Sequence, residues 1–186
     1  MTCIVGLECS DGAVIAGDFC GSNGFTYHTM IPSKVFKHSQ MLFGYTSTFR
    51  FGQIIEHILD DNTLYPPTEP EQTYRWLVKT FVPKIRQVFK DEEYRLGDGC
   101  NAVLVINGQV WELQNDLSVL RNDVGLTVVG SGQYHAQSSI LTQLLMNHRN
   151  SKPTMAEAEK IIELAYNVTA SFVSSVSSKV EVIKEQ

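Results

Sequence analysis

The predicted elements of this chain come in separate blocks, and that order constrains its fold more than any other sequence feature. Runs of β-forming residues fill most of the first 45 positions and return between residues 102 and 129. A pair of amphipathic helices is expected after each block, over about residues 47–61, 71–90, 132–147 and 154–173. Segregated strands and helices favour an α+β fold over repeated βαβ units. Two antiparallel sheets stacked face to face, with helix pairs outside them, fit this order.

Turn residues mark where the strands fold back. Ser10-Asp11-Gly12 separates the apolar runs 2–8 and 13–18, so these two strands should pair antiparallel. Asn107-Gly108 between two further apolar runs is a strong hairpin signal. A short last strand over residues 180–183 is expected at a sheet edge.

Local signals also predict helix ends. Ser47 or Thr48 should cap the first helix. Pro83 should kink or divide the second, because proline lacks the backbone N–H that a helix interior uses. Thr154 and Glu157 form a capping-box pattern that opens the last helix.

Length and composition indicate one globular domain spanning residues 1–186. The chain has 15 Lys and Arg against 20 Asp and Glu residues, and its net charge of −5 argues against a nucleic-acid partner. No run approaches the roughly 18 apolar residues of a membrane span. The first basic residue is Lys34, so a secretory signal is not expected either. We therefore expect a cytoplasmic protein.

The cysteines and histidines show no spacing typical of a metal or redox site. None of Cys3, Cys9, Cys20 and Cys100 forms a C-x-x-C pair, so reduced and buried thiols are expected. The five histidines also lack metal-ligand spacing. The sequence predicts neither a metal ion nor another cofactor.

Thr2 is a candidate nucleophile. Methionine aminopeptidase removes Met1 readily before a small side chain, which would leave a free α-amine beside the Thr2 hydroxyl. Such an amine has an ordinary pKa of about 7.7–8.0 and can act as general base for its own Oγ near neutral pH. Many proteins begin with Met-Thr, so this feature alone does not decide the matter.

Asp18 and Lys34 strengthen the hypothesis because hairpin geometry can return both residues to the start of the chain. Asp18 ends a strand that should run antiparallel to the first, and Lys34 begins a later strand. A buried ammonium group there would lower the pKa of the α-amine and stabilise an ionised Thr2 hydroxyl. The alternative interpretation of the Asp–Lys pair is a structural salt bridge.

These residues belong to motifs that resemble the β-type proteasome subunits. The resemblance is closest to the HslV-type bacterial protease and to the small proteasome-like proteins of bacteria and phages. The motifs that carry it are Thr2-Cys3-Ile4-Val5-Gly6, Ala13-Val14-Ile15-Ala16-Gly17-Asp18, Ser33-Lys34-Val35-Phe36, Met41-Leu42-Phe43-Gly44 and Gly130-Ser131-Gly132-Gln133. Thr2, Asp18 and Lys34 fall at the family's spacing without a gap.

The resemblance implies an N-terminal nucleophile hydrolase fold, which is a four-layer αββα sandwich. It implies that Thr2 is the nucleophile and that Asp18 and Lys34 support it. It also implies that Gly44 donates a backbone N–H to the oxyanion and that Ser131 hydrogen-bonds near the terminal amine.

The same resemblance implies how substrate and partners bind. Ser22 matches the position that lays a polypeptide substrate down as an added strand. Pro32, Leu42 and Thr46 match pocket-lining positions, which favours a medium-sized apolar side chain. The assembly would be a homo-oligomeric ring or spiral that encloses its sites, with an AAA+ unfoldase as a possible partner.

The sequence departs from the family pattern at two places. Asn167 stands where proteasomes usually have an aspartate, and Thr169 or Ser171 would replace the serine that follows it. Ser47-Thr48 stands where the family has Gly-Gly. Loss of the aspartate would weaken the hold on the amine and on Ser131.

Two other functions stay open from the sequence. One is an N-terminal nucleophile amidase for a small amide, although many such relatives have longer chains. The other is a non-catalytic assembly or shell protein that keeps the fold, which a retained Met1 would favour because it blocks the amine.

Overall fold

The computed structural model of the protein describes residues 2–22, 26–59, 64–97 and 100–185. The first half contains β1 (Cys3–Cys9), β2 (Gly12–Asp18), β3 (Cys20–Ser22), β4 (Tyr27–Thr29), β5 (Val35–His38), β6 (Met41–Tyr45), α1 (Phe49–His57), α2 (Thr73–Trp76) and α3 (Val82–Asp91). The second half contains β7 (Ala102–Ile106), β8 (Gln109–Leu113), β9 (Val119–Leu120), β10 (Leu126–Gly130), α4 (Gln133–Asn147), α5 (Met155–Phe172) and β11 (Val180–Lys184). The protein is a mixed α+β structure, as predicted.

Two antiparallel sheets form the centre of the structure. One has the strand order β10-β1-β2-β11 and the other has the order β5-β6-β7-β8-β9, while β3 and β4 form a separate hairpin. Both predicted tight hairpins are present, and β11 lies at a sheet edge as expected. Asn107 and Gly108 adopt φ values of 55° and 71°, which suits the mirror-image turns that match strand twist.

Alternation along β1 divides the hydrophobic core. Cys3, Val5 and Leu7 pack into a cluster with apolar residues of α4 and α5. The intervening Ile4 belongs to a second cluster that also contains residues of β5, β6, β7 and β8. A third cluster joins residues of the five-stranded sheet with α1, α3 and the helical segment before α3. The first sheet therefore has helices against one face and the second sheet against the other.

The helix ends follow the local signals with two exceptions. The capping box of Thr154 and Glu157 is present at α5. Thr48 precedes α1, but its side chain makes no capping hydrogen bond, and α1 ends at His57 rather than near residue 61. Pro83 lies near the start of α3, directly after a π-helical stretch, Leu77–Phe81, and the Val82 N–H donates to the Leu77 carbonyl oxygen. The helix type therefore changes next to the proline, which lacks the N–H that a helix interior uses.

The region after β2 forms a short hairpin. Cys20–Ser22 is β3 and pairs antiparallel with β4. Residues 23–25 lie outside the described ranges.

All four cysteines are buried and free, as predicted. Within the described ranges, no helix has both the length and the apolarity to cross a membrane.

Candidate active site

Thr2 lies immediately before β1, held between both neighbouring strands of its sheet. The residue is 1% exposed, and its carbonyl oxygen accepts from the backbone N–H of Gly132 at 3.4 Å. Gly130 has a φ of 101°, and a Cβ atom there would lie 2.2 Å from the Thr2 carbonyl oxygen. Only glycine therefore allows β10 to approach Thr2 this closely.

Asp18, the last residue of β2, binds both the side chain and the backbone beside Thr2. Its carboxylate is fully buried. Oδ1 accepts from the Thr2 hydroxyl and from the Cys3 backbone N–H, the latter at 3.2 Å. Oδ2 accepts from the backbone N–H of Ser177 at 3.2 Å. The antiparallel pairing of β1 with β2 brings this carboxylate to the start of the chain.

Lys34, immediately before β5, completes the group of charges around Thr2. Its Nζ donates to the Thr2 Oγ1 atom at 2.5 Å and to the carbonyl oxygen of Cys20. The same Nζ lies 3.7 Å from Asp18 Oδ1 and 5.8 Å above the centre of the Phe49 ring. Burial lowers the pKa of Lys34 below its ordinary value of 10.5, although the charge of Asp18 opposes this shift.

The structure thus brings together the three residues that the spacing singled out. The Thr2 hydroxyl donates to a carboxylate and accepts from an ammonium group, in surroundings nearly closed to water. A cation on an oxygen favours the ionised form of that oxygen, and more strongly at low dielectric constant. The arrangement can therefore stabilise negative charge on Oγ1.

Ser131 follows β10 and contacts Thr2 from the side of α4. Its hydroxyl donates to the Thr2 carbonyl oxygen at 3.3 Å and lies 3.1 Å from the Oγ atom of Ser175. Ser175 is 6% exposed and belongs to the connection between α5 and β11. Neither Ser175 nor Ser177 is predicted from the sequence. The available signal was the serine-rich stretch Ser174-Ser175-Val176-Ser177-Ser178 before the last strand.

The residues expected to replace the family aspartate and serine do not reach Thr2. Asn167 is exposed on α5, and its carbonyl oxygen accepts from the Ser171 hydroxyl at 3.0 Å. The hydroxyl of Thr169 donates to the Ala165 carbonyl oxygen at 2.7 Å. These hydroxyls bond to the backbone of their own helix, and the serine-rich connection after α5 reaches the site instead.

A cleft of about 290 Å³ opens beside Thr2. Its other lining residues are Thr46, Ser47, Asn101, Gly130, Ser131 and Gln133. Thr46 was expected there, and its hydroxyl donates to the Asn101 carbonyl oxygen at 2.9 Å. Ser47 has a φ of 69°, a conformation that favours glycine. Ser47 therefore stands where a glycine of the expected Gly-Gly pair would fit without strain, whereas Thr48 has an extended backbone with a φ of −91°.

Gly44 does not line this cleft. It lies within β6, which is paired on one side with β5 and on the other with β7. A Cβ atom at Gly44 would meet Ile4, Ile15 and Val35 between the two sheets. The glycine allows the sheets to approach, and Ser47 rather than Gly44 lines the cleft beside Thr2.

Of the other predicted substrate-binding residues, two lie away from the cleft. Leu42 is buried between the sheets and borders a separate cavity with Lys37, Asn107 and Glu185. Pro32 is exposed between β4 and β5 and is not among the cleft-lining residues. Ser22 ends β3 and pairs with Tyr27, but its side chain lies outside the described part. Among the described residues, no group of three or more metal-binding side chains is present.

Comparison with known proteins gives matches by structure alone. No family model and no curated protein matches the sequence. A BPH from Thiobacillus denitrificans, solved in complex with epoxomicin, superposes with a TM-score of 0.73 at 14% identity, over 98% of this chain and 99% of that one. Anbu, an ancestral beta-subunit from Yersinia bercovieri, superposes with a TM-score of 0.70 at 18% identity, over 98% of this chain and 81% of that one. HslV from Trypanosoma brucei superposes with a TM-score of 0.60 at 14% identity, over 98% of this chain and 99% of that one.

This chain has the fold of the proteasome-like proteins. The resemblance predicted from its short motifs is confirmed. At 14–18% identity these three matches bear on fold, so activity has to be argued from the residues around Thr2.

Proposed function

We propose that this chain is a threonine-type endopeptidase of a self-compartmentalising proteasome-like assembly, with Thr2 as nucleophile after removal of Met1. One observation carries the proposal. The buried Lys34 ammonium donates to the Thr2 hydroxyl across 2.5 Å, while Asp18 accepts from that hydroxyl. Burial of two charges costs free energy, and a threonine that served only in packing would need neither charge. The fold shared with HslV supports the same conclusion.

The proposed reaction is acyl transfer in two steps. The free α-amine of Thr2 accepts the hydroxyl proton as Oγ1 bonds to the carbonyl carbon of the scissile peptide. The C–N bond then breaks, and the proton passes to the departing amine. Water, deprotonated by the same α-amine, hydrolyses the ester that remains and frees Thr2.

The surrounding residues would lower the barrier in different ways. The Lys34 charge stabilises the ionising hydroxyl and keeps the nearby α-amine neutral. Asp18 orients Lys34 and favours its charged form. Ser131 fixes the Thr2 backbone through its hydrogen bond to the carbonyl oxygen.

We assign the oxyanion contact to the backbone N–H of Ser47. Ser47 lines the cleft with Thr2, whereas Gly44 lies within a strand that is paired on both sides. A preorganised N–H at such a position is worth about 10²–10³ in rate.

Enclosure of the site by copies of the chain is part of the proposal. Its support is an uncharged apolar face on α4 and α5, formed by Tyr134, Leu164, Val168 and Phe172, which are 37–74% exposed. Patches of this kind mark interaction surfaces. Copies joined there would form a ring or spiral that admits unfolded polypeptide, and an AAA+ unfoldase would deliver it. We propose a cytoplasmic site of action.

The division of the core supports a four-layer αββα sandwich in a single domain, residues 1–186. One hydrophobic cluster would lie between the two sheets, and the others between each sheet and its helices.

Hydrolysis of fluorogenic peptides by purified protein tests this function. The wild type, with an intact mass that lacks Met1, should cleave them. Thr2→Ala should lose at least about a thousandfold in kcat/KM, with unchanged circular dichroism. Thr68→Ala, in an exposed loop, is the matched control.

Three results would contradict the proposal. Equal activity of Thr2→Ala would remove Thr2 as nucleophile. A retained Met1 without peptide hydrolysis would favour the non-catalytic assembly protein. Cleavage of small amides but no peptides would favour the amidase.

A further inference from the structure

Two half-buried apolar side chains, Met30 and Phe49, lie near the site, Phe49 beneath the Lys34 Nζ atom and Met30 over Gly21. The Lys34 Nζ atom contacts the Thr2 hydroxyl and also lies 5.8 Å above the Phe49 ring. One lysine side chain thus separates the reacting oxygen from this ring. Neither Met30 nor Phe49 lines the cleft beside Thr2.

Met30 and Phe49 meet over Gly21 in β3. A Cβ atom at Gly21 would lie 2.3 Å from Met30 Cγ, 2.8 Å from Met30 Sδ and 3.5 Å from Phe49 Cζ. The space that a side chain of β3 would fill is therefore already taken. The preceding residue, Cys20, accepts from Lys34 Nζ, so this filled space adjoins the reacting group.

A backbone hydrogen bond positions Met30, and a ring contact holds Phe49. The Met30 backbone N–H donates to the Phe19 carbonyl oxygen at 2.7 Å, which fixes the point from which its side chain extends over Gly21. The Phe49 ring packs edge-on against the buried Tyr45, with the ring centres 6.5 Å apart. Movement of the Phe49 ring to admit a substrate group would break this ring contact.

A substrate carbonyl carbon must come within about 3–3.5 Å of Thr2 Oγ1 to react. With the oxyanion contact assigned to Ser47, the substrate carbonyl oxygen points toward the cleft, and the side chain beside that carbonyl is left on the Met30–Phe49 side. The pair leaves little volume there, so only a small side chain fits.

We infer that Met30 and Phe49 are specificity-determining residues that restrict cleavage to bonds after a small side chain such as Gly, Ala or Ser. This inference rests on the proposed peptidase function. It replaces the medium-sized apolar preference expected from Pro32, Leu42 and Thr46, of which Pro32 and Leu42 do not line the cleft.

The test uses fluorogenic peptides that differ only in the residue before the cleaved bond, which is Ala, Leu or Phe. We expect wild-type kcat/KM to be about tenfold or more higher for Ala than for Leu or Phe. Phe49→Ala and Met30→Ala should reverse or abolish this ratio, chiefly through a lower KM for the large residues. Phe49→Leu should act in the same direction more weakly, which covers the case that Phe49→Ala fails to fold. Met146→Ala, at a 78% exposed position, should leave the ratio unchanged.

The outcomes separate the two hypotheses. Peptide cleavage that Thr2→Ala abolishes, with a wild-type preference for Leu or Phe, would overturn the specificity inference and leave the peptidase function standing. An Ala preference that neither Phe49 variant nor Met30→Ala alters would overturn it as well. Failure of wild type and all variants to cleave any peptide would overturn the proposed function and the inference with it.

Discussion

Lys34 has a lowered pKa although the carboxylate of Asp18 lies only 3.7 Å from its Nζ atom. Burial disfavours the ammonium form and outweighs the attraction of the carboxylate. The Thr2 hydroxyl, 2.5 Å from the same Nζ, therefore faces a cation whose charge depends on Asp18. The activity of the site should reflect this balance in its response to pH.

We predict that the peptidase rate falls on the alkaline side as Lys34 loses its proton, beginning below the ordinary lysine pKa of 10.5. A lysine is charged below its pKa, so the stabilising charge is present at neutral pH and disappears as pH rises. Asp18→Asn removes the carboxylate that raises this pKa, and the alkaline fall should move to lower pH. The pH dependence of kcat/KM for both proteins provides the measurement.

Lys34 variants give an independent check on this role. Lys34→Ala should lose about 10² or more in rate, and Lys34→Arg should not restore it, because the planar guanidinium has a different shape and donor geometry. Lys37→Ala, exposed in β5, should be unaffected. An active Lys34→Arg enzyme with an unchanged alkaline limb would count against the assignment.

Ser175 should act as a positioning residue through Ser131. Loss of its hydroxyl removes the 3.1 Å contact that orients the Ser131 side chain on the Thr2 carbonyl oxygen. A hydrogen bond of this kind contributes about 1 kcal/mol, so Ser175→Ala should lower kcat about fivefold with little change in KM. Ser175→Thr should recover part of the loss, because it keeps the hydroxyl.

Ser174→Ala is the control, since the neighbouring Ser174 is exposed. A fall in thermal stability without a fall in kcat at a temperature where the variant is folded would make Ser175 purely structural.

The central part of the site follows from local rules of sequence. A turn at Ser10-Asp11-Gly12 pairs β1 with β2, and that pairing alone returns Asp18 to Thr2. The Asn-Gly hairpin and the α5 capping box likewise depend on a few adjacent residues. Such signals hold wherever neighbouring residues determine the geometry.

The rest of the site depends on contacts between distant parts of the chain. Ser175 reaches Ser131 only because α5 and β11 pack on the same sheet. The family resemblance pointed instead to Thr169 or Ser171 for that serine. Gly44 matches a family motif, but its position within β6 is determined by packing between the sheets. Short motifs locate residues along the chain without giving the direction in which each one faces.

Acid should destabilise the protein through Glu8, which is 3% exposed. Burial would raise its pKa, but hydrogen bonds from Arg121, Lys152 and the Val110 backbone N–H hold it below its ordinary value of 4.5. A carboxyl group with a lowered pKa contributes stability above pH 4.5, and this contribution is lost as pH falls through the folded-state pKa. Because the Arg121 and Lys152 side chains are partly exposed, Glu8→Gln leaves no fully buried cation, and it should lower the free energy of unfolding by about 2 kcal/mol at pH 7 and by less at lower pH.

Urea denaturation at pH 7 and at pH values below 4.5 measures this difference. Glu163→Gln, at an exposed position of α5, should show no comparable pH-dependent loss. A constant difference between wild type and Glu8→Gln at all pH values would exclude the charge of Glu8 as its source.

Association of this chain should depend on the uncharged face of α4 and α5. Helix α4 contains no Asp, Glu, Lys or Arg residue, and the exposed part of α5 around Val168 and Phe172 is also uncharged. A chain with net charge −5 repels its own copies elsewhere, so a neutral apolar face is where two copies meet at the lowest electrostatic cost.

Phe172→Glu places a charge on this face and should lower the molar mass measured by light scattering from that of an oligomer toward that of a monomer. Val124→Glu, 51% exposed outside this face, should leave the oligomer intact. A wild type that is monomeric across micromolar concentrations and still cleaves peptides would contradict enclosure and favour the small-amide amidase.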